Sequence, residues 1–227
     1  SSLALPLVGI GVAASFCKKP VRRSTGEFLV GLGLLLMGLD FLKSSMPDVD
    51  PDSPFLQWLR HYSNMGFLSV LLFLAFGVVF TIIVQSSSVA VAVTITMAVK
   101  GWIDFDLAAA VVLGENIGTT ITANLAAITA NLAAKRAAIA HLIFNVLGVI
   151  WVLCVFYYFL AMIKWIIPLD CAPDPATLAA MGISDFNSLA GAAREAALEK
   201  IAIPERVAMF HTMFNFCNIC VLIAFVP

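Results

Sequence analysis

Four consecutive polar residues, Gln85, Ser86, Ser87 and Ser88, interrupt the apolar run VVFTIIVQSSSVAVAVTI between Val78 and Ile95. In lipid each unpaired polar group is costly, so a cluster of four calls for a binding role. The glutamine amide donates and accepts, and each serine adds a hydroxyl. If the chain breaks here, the free N–H groups of the following helix start join them. The positive end of that helix completes an anion site. These donors are neutral, so an anion can be held and still released, which suits a carrier.

Residues 114–123, GENIGTTITA, carry complementary chemistry. Gly114 and Gly118 permit a tight or unwound turn. Thr119, Thr122, Ala126 and Thr129 then fall at helical spacing on one face. Threonine hydroxyls, the Asn116 amide and freed carbonyls are hard oxygen ligands of the kind that suits Na⁺. Glu115 is the acidic residue of this region. It reads either as the cap of a half-helix or as a cation ligand, with the cap slightly preferred. Isolated serines and threonines in membrane helices usually bond to their own backbone, but a run of four polar residues beside a glycine-bracketed turn argues for a site.

Membrane helices must position these groups. The 227 residues are 61% hydrophobic and 12% charged, with a mean hydropathy of +0.99. A soluble domain carries roughly a quarter charged residues, so this is an integral membrane protein with several spans. The net charge of −1 implies no nucleic-acid partner. Cys17, Cys154, Cys217 and Cys220 lie in or beside apolar runs and read as small core residues, while Cys171 sits alone in a polar loop. Neither a zinc pattern nor a disulfide framework is expected.

An apolar segment at about 2–17 ends in CKKPVRR, and a second follows at about 25–46, where Gly31, Gly33 and Gly38 allow close packing. Asp40 and Lys43 near its end read as an interfacial pair. A polar loop, 47–64, holds a short amphipathic piece around Phe55–His61. The region 66–134 is too long for one crossing of roughly 20 residues, and its pieces read as half-helices and re-entrant hairpins. A long apolar run at about 137–168, a polar stretch at about 169–204 with an Ala-rich amphipathic helix, and a last apolar segment at 205–226 complete the chain. Lys18, Lys19, Arg22, Arg23, Lys135 and Arg136 place their connections in the cytoplasm, and the acidic loop of Asp48, Asp50 and Asp52 outside. Residues 136–145 and 206–215 share the pattern Arg-x4-His-x2-Phe-Asn, which suggests equal packing roles. His141 with Asn145, and His211 with Asn215, each share a helix face and read as structural hydrogen-bonding pairs between helices.

Gln85–Ser88 followed by Gly114–Thr120, with HLIFN after them, resembles the type II sodium–phosphate cotransporter family, bacterial branch. That family pairs a QSSS motif with a GxNIGTT motif in each of two inverted repeats, and this chain has one such pair. The resemblance implies an all-α polytopic membrane protein with broken, re-entrant half-helices, one half of an inverted-repeat transporter. Residues 1–46 would be the end of the first repeat and the linker to the second, 47–134 a loop plus the broken-helix core, and 135–227 two further membrane helices joined by a polar loop. It further implies Na⁺-driven uptake of inorganic phosphate across the bacterial plasma membrane. Gln85, Ser86, Ser87 and Ser88 would form half of the phosphate site, and Asn116, Thr119, Thr120 and Thr122 would ligate Na⁺, with Glu115 accessory. The preceding QSSS-containing repeat and membrane lipid would be its partners. The chain opens on SSLALPLVGIGVAASF, without Met or a basic leader, and is expected to be internal to a longer protein.

Three other readings compete, one of them a non-transporting fragment or membrane scaffold. The same architecture could carry another oxyanion or an organic anion. An intramembrane serine hydrolase would use a serine of 86–88 with His141 or His211 as base. No G-x-S-x-G elbow surrounds the serines, however, and neither histidine has an acidic residue at helical spacing.

Overall fold

A computed structural model describes residues 3–47, 50, 52–169, 173, 175–183 and 185–223, with only the backbone of Lys43, Ala176 and Ala180. Cys171, Asp48 and the Lys43 side chain therefore lie outside what is described. The described residues are all-helical, and the chain forms two compact units, Ser1–Asp48 and Val49–Pro227.

The first unit is a hairpin of α1 (Ala4–Ser15) and α2 (Pro20–Ser45). Pro20, with its fixed φ and missing N–H, suits the first turn of a helix. The helix thus begins ahead of the apolar segment and carries Arg22 and Arg23 within it. The two helices meet through glycine. A Cβ on Gly26 would stand 2.5 Å from the Ser15 amide, and one on Gly11 2.7 Å from the Val30 amide. Gly33 also packs tightly, against Val8, but Gly31 and Gly38 face open space.

The second unit begins with α3 (Pro54–Ser63), whose Ser53 cap accepts from the Leu56 amide at 3.3 Å. It buries Leu56 and Leu59 and exposes Phe55 and Trp58. Next come α4 (Phe67–Val84), α5 (Ser87–Val99) and α6 (Phe105–Ala127). Asp104 caps α6 through the Leu107 amide at 2.8 Å. Glycine seams α4 to α6, because a Cβ on Gly77 would fall on the Val111 carbonyl and one on Gly114 on the Leu74 carbonyl. Gly118 meets Val78 and Thr81 one turn later, so the two helices run parallel.

The long run after 134 divides. Asn131 caps α7 (Leu132–Cys154), and the chain kinks at Val155, with φ −116° and ψ 19°, into α8 (Phe156–Ile166). At 11 residues α8 is too short to cross a bilayer. It buries Phe156, Phe159, Leu160 and Ile163, a stripe at helical spacing. After α9 (Pro175–Ala180), the Ala-rich segment and the last apolar segment join into α10 (Gly191–Leu222), with Pro204 inside it. The polar stretch expected to end at 204 therefore does not separate two elements. Among the described residues, three stretches are long and apolar enough to cross a membrane: Pro20–Leu42, Phe67–Val84 and Leu132–Cys154.

The four described cysteines are not core residues. Cys154 and Cys220 are exposed and Cys17 and Cys217 half-buried. The two Arg-x4-His-x2-Phe-Asn segments also differ in environment. Arg206 is buried, bonding Glu199 at 2.9 Å and the Ile167 carbonyl at 3.0 Å, whereas Arg136 is exposed. Asn215 donates to the His211 backbone, on its own helix, at 2.9 Å. The bond that crosses between helices comes from Asn218, which accepts from Trp151 and donates to the Phe144 carbonyl, each at 3.3 Å. Gly148 leaves the room that the Asn218 side chain fills.

Candidate functional site

The helix does break at the polar run. Gln85 ends α4 in a left-handed conformation, φ 57° and ψ 22°, and its amide donates to the Thr81 carbonyl at 2.8 Å. It alone among the described non-glycine residues has a positive φ. Such a residue is strained, and strain of this kind concentrates at functional sites. Ser86 follows in an extended conformation and caps α5 through the Val89 amide at 3.4 Å. Ser87 and Ser88 form the first turn of α5, where backbone N–H groups have no intrahelical acceptor. Gln85 and Ser88 are exposed, and Ser86 and Ser87 half-buried.

The expected turn at GENIGTT is absent. Residues 114–120 lie in the middle of α6, which is continuous. Gly114 and Gly118 serve the seam with α4 and do not bend the chain. No backbone carbonyl is freed by unwinding, and Glu115 cannot be a half-helix cap. The polar side chains bond to their own helix instead. Asn116 donates to the Val112 carbonyl at 2.8 Å, Thr119 to that of Glu115 at 2.9 Å, Thr120 to that of Ile117 at 2.6 Å, and Thr122 to that of Thr119 at 2.8 Å. These bonds use threonine hydroxyl and asparagine amide protons and leave oxygen lone pairs available.

Helical periodicity divides the four expected cation ligands into two pairs. Thr119 and Thr122 lie four and seven residues after Glu115, on its face. Asn116 and Thr120 share another face with Asn124, which donates to the Ala138 carbonyl of α7 at 2.8 Å. Thr120 is fully buried there. The α4–α6 register sets Thr81 beside Gly118, and one more turn along each helix brings Gln85 level with Thr122. The break thus faces the Glu115 side of α6.

Glu115 is 1% exposed. One carboxylate oxygen accepts from the Thr94 hydroxyl of α5 at 2.7 Å, and the other has no hydrogen-bond partner. The buried Thr81 hydroxyl also lacks one. Thr81 and Thr94 escape a reading of the sequence, since a single threonine in an apolar helix looks like packing. A carboxylate oxygen and a hydroxyl left bare in the interior are the groups a small cation would satisfy.

Residues 54–164, which hold the break, the seam and Glu115, match the family described as Na+/Pi-cotransporter. The likeness to that family is confined to this segment, just under half of the chain. It is 35% identical over 134 residues to the uncharacterized protein YqeW of Bacillus subtilis, covering 58% of this chain and 41% of that protein. It is 31% identical over 143 residues to the putative inorganic phosphate export protein YjbB of Escherichia coli, covering 63% and 26%. It is 34% identical over 139 residues to the human sodium-dependent phosphate transport protein 2C, covering 55% and 22%. The chain thus spans less than half the length of each of these relatives. No solved structure matches it. Family and apolar helices together make it a multi-pass membrane protein, consistent with the plasma membrane.

Proposed function

We propose that this chain is the second half of a sodium-coupled carrier that takes inorganic phosphate into the cell. The observation that carries this reading is the break at Gln85–Ser86, which gathers amide and hydroxyl donors at the start of α5. On this reading α4 and α5 form a re-entrant hairpin, and its N–H groups and serines take the phosphate oxygens. Thr119, Thr122, Glu115 and Thr94 offer oxygens to Na⁺ on the adjoining face, while Asn116 and Thr120 contribute through the α7 side. Glu115 supplies the negative charge that a buried cation needs for balance. The complementary half of the phosphate site comes from a preceding QSSS-containing repeat of inverted topology. Relatives described as exporting phosphate and as sodium-dependent both support phosphate as substrate, and the hard-oxygen face of α6 supports sodium as the driving ion.

Ser87→Ala in the full-length protein tests it. A lost neutral hydrogen bond is worth about 0.5–1.5 kcal/mol, so apparent phosphate affinity should fall several-fold while the protein still inserts. Uptake of labelled phosphate into vesicles under a Na⁺ gradient measures this. Unchanged affinity would remove the serines from the site.

A further inference from the structure

A groove of about 430 Å³ lies between α3 and α4, with Met97 of α5 buried at its floor. One wall is the stripe Phe55, Trp58, Leu59 and Tyr62, which share a face of α3. The other is Leu72, Phe73 and Phe76 of α4. Leu59 and Phe73 are buried, while Phe55, Trp58, Leu72 and Phe76 are exposed and form the rim. No charged residue lines the groove. Its walls are held in place at both ends of α3. The Ser69 hydroxyl donates to the Tyr62 carbonyl at 2.6 Å and accepts from the Met65 amide at 2.9 Å, which fixes the α3–α4 corner. At the start of α3 the Phe55 ring meets Trp102 edge-on, with 5.7 Å between centroids.

Leu72 and Phe76 also belong to a second pattern. Leu68, Leu72, Phe76, Val79 and Ile83 fall at helical spacing and are all exposed, so they form one outward stripe along α4. That helix is long and apolar enough to cross a membrane, and its glycine face is taken by α6. In a bilayer the stripe meets lipid, and the groove is a recess in the same surface. Phe76 stands about 14 Å along α4 from Phe67, close to one leaflet's share of a hydrocarbon core about 30 Å thick. An apolar recess at that depth stays dry, and its walls lose packing when it is empty, so hydrocarbon is the filling that suits it.

We propose that this groove is a lipid site that takes one acyl chain of a bilayer phospholipid, with Trp58 and Phe76 at its rim and Met97 at its floor. Its existence does not depend on the transport reading.

The test uses the full-length protein in nanodiscs of phosphatidylcholine that carries a diazirine midway along one acyl chain. Illumination labels residues that touch the chain, and mass spectrometry reads the share of all label found on Met97. Met97 is buried, so lipid passing along the outer surface does not reach it. It should nevertheless be labelled. Leu72→Trp, which stands a larger side chain in the groove, should lower its share at least about threefold, since a packed site has no room for both. Leu72→Phe, a smaller filling, should lower it less. Leu147→Trp, at an exposed position of α7, should leave it unchanged. The proposal is overturned if label appears elsewhere in the protein and not on Met97, as when a protein segment covers the groove. It is also overturned if both Leu72 variants keep the parent's share, or if Leu147→Trp lowers it as far as Leu72→Trp does.

Discussion

Glu115 has one hydroxyl to hold it and one oxygen without a partner, so small changes around it should have readable effects. Thr94→Val keeps the shape of the side chain and deletes that hydroxyl, leaving both carboxylate oxygens bare. Thermal unfolding in detergent should show a loss of about 1–3 kcal/mol, the range for a buried polar group deprived of its partner. Glu115→Gln should behave in the opposite way. The amide oxygen still accepts from Thr94 and no buried charge remains, so stability should hold or rise. Coupling should fail, because the cation loses its counter-charge. Phosphate uptake by the full-length Glu115→Gln protein, measured with and without Na⁺, decides this, and a sodium response equal to the parent's would remove Glu115 from the cation site. At this scale the sequence is informative where composition is abnormal. Four polar residues in an apolar run stand out, and the helix does break there. Thr81 and Thr94 do not stand out, because their importance comes from what the fold brings beside them. The glycines of GENIGTT were legible as special but not as to purpose. Glycine permits a bend and equally permits a backbone to approach, and only the neighbouring helix decides between the two.

The approach of α4 to α6 is a property of the pair of helices. Gly114→Ala would push a methyl group onto the Leu74 carbonyl, which belongs to backbone and cannot rotate away. Overpacking of this kind costs about 1–3 kcal/mol, and the variant should unfold at a lower temperature in detergent. Gly31→Ala is the natural control. Its Cβ would meet nothing within 4 Å, and alanine is the better helix former by about 1 kcal/mol, so stability should stay level or rise. Equal losses in the two variants would refute the seam. Element types were readable from hydropathy, but their ends were not. The run 137–168 is uniformly apolar, so nothing in it announced the kink at Val155, which comes from α8 turning its stripe of Phe156, Phe159, Leu160 and Ile163 inward. Polarity changes sharply near 204, yet α10 passes straight through. A helix needs only its own backbone bonds to continue, and Pro204 removes just one of them.

At the scale of the whole molecule, composition alone pointed to a membrane protein with several spans and the resemblance to an all-α one, while partnership between halves lies beyond any single chain's composition. An inverted-repeat carrier builds its site from two halves, and this chain covers 41% or less of the relatives compared with it. Reconstituted alone in liposomes it should therefore show no Na⁺-stimulated phosphate uptake. Co-reconstitution with a QSSS-bearing preceding repeat should restore it, and robust uptake by the chain alone would point to self-pairing. The glycine seam bears on how such a carrier would move. Two helices joined backbone to backbone have no layer of side chains to act as a bearing. Neither can slide or roll past the other without steric collision, so α4 and α6 travel as a single strut. Any rocking that opens the site to one side and then the other must be taken up where helices meet through flexible side chains. In such a carrier the strut would be the rigid piece, keeping the mouth of the break and the buried carboxylate in one register throughout the movement.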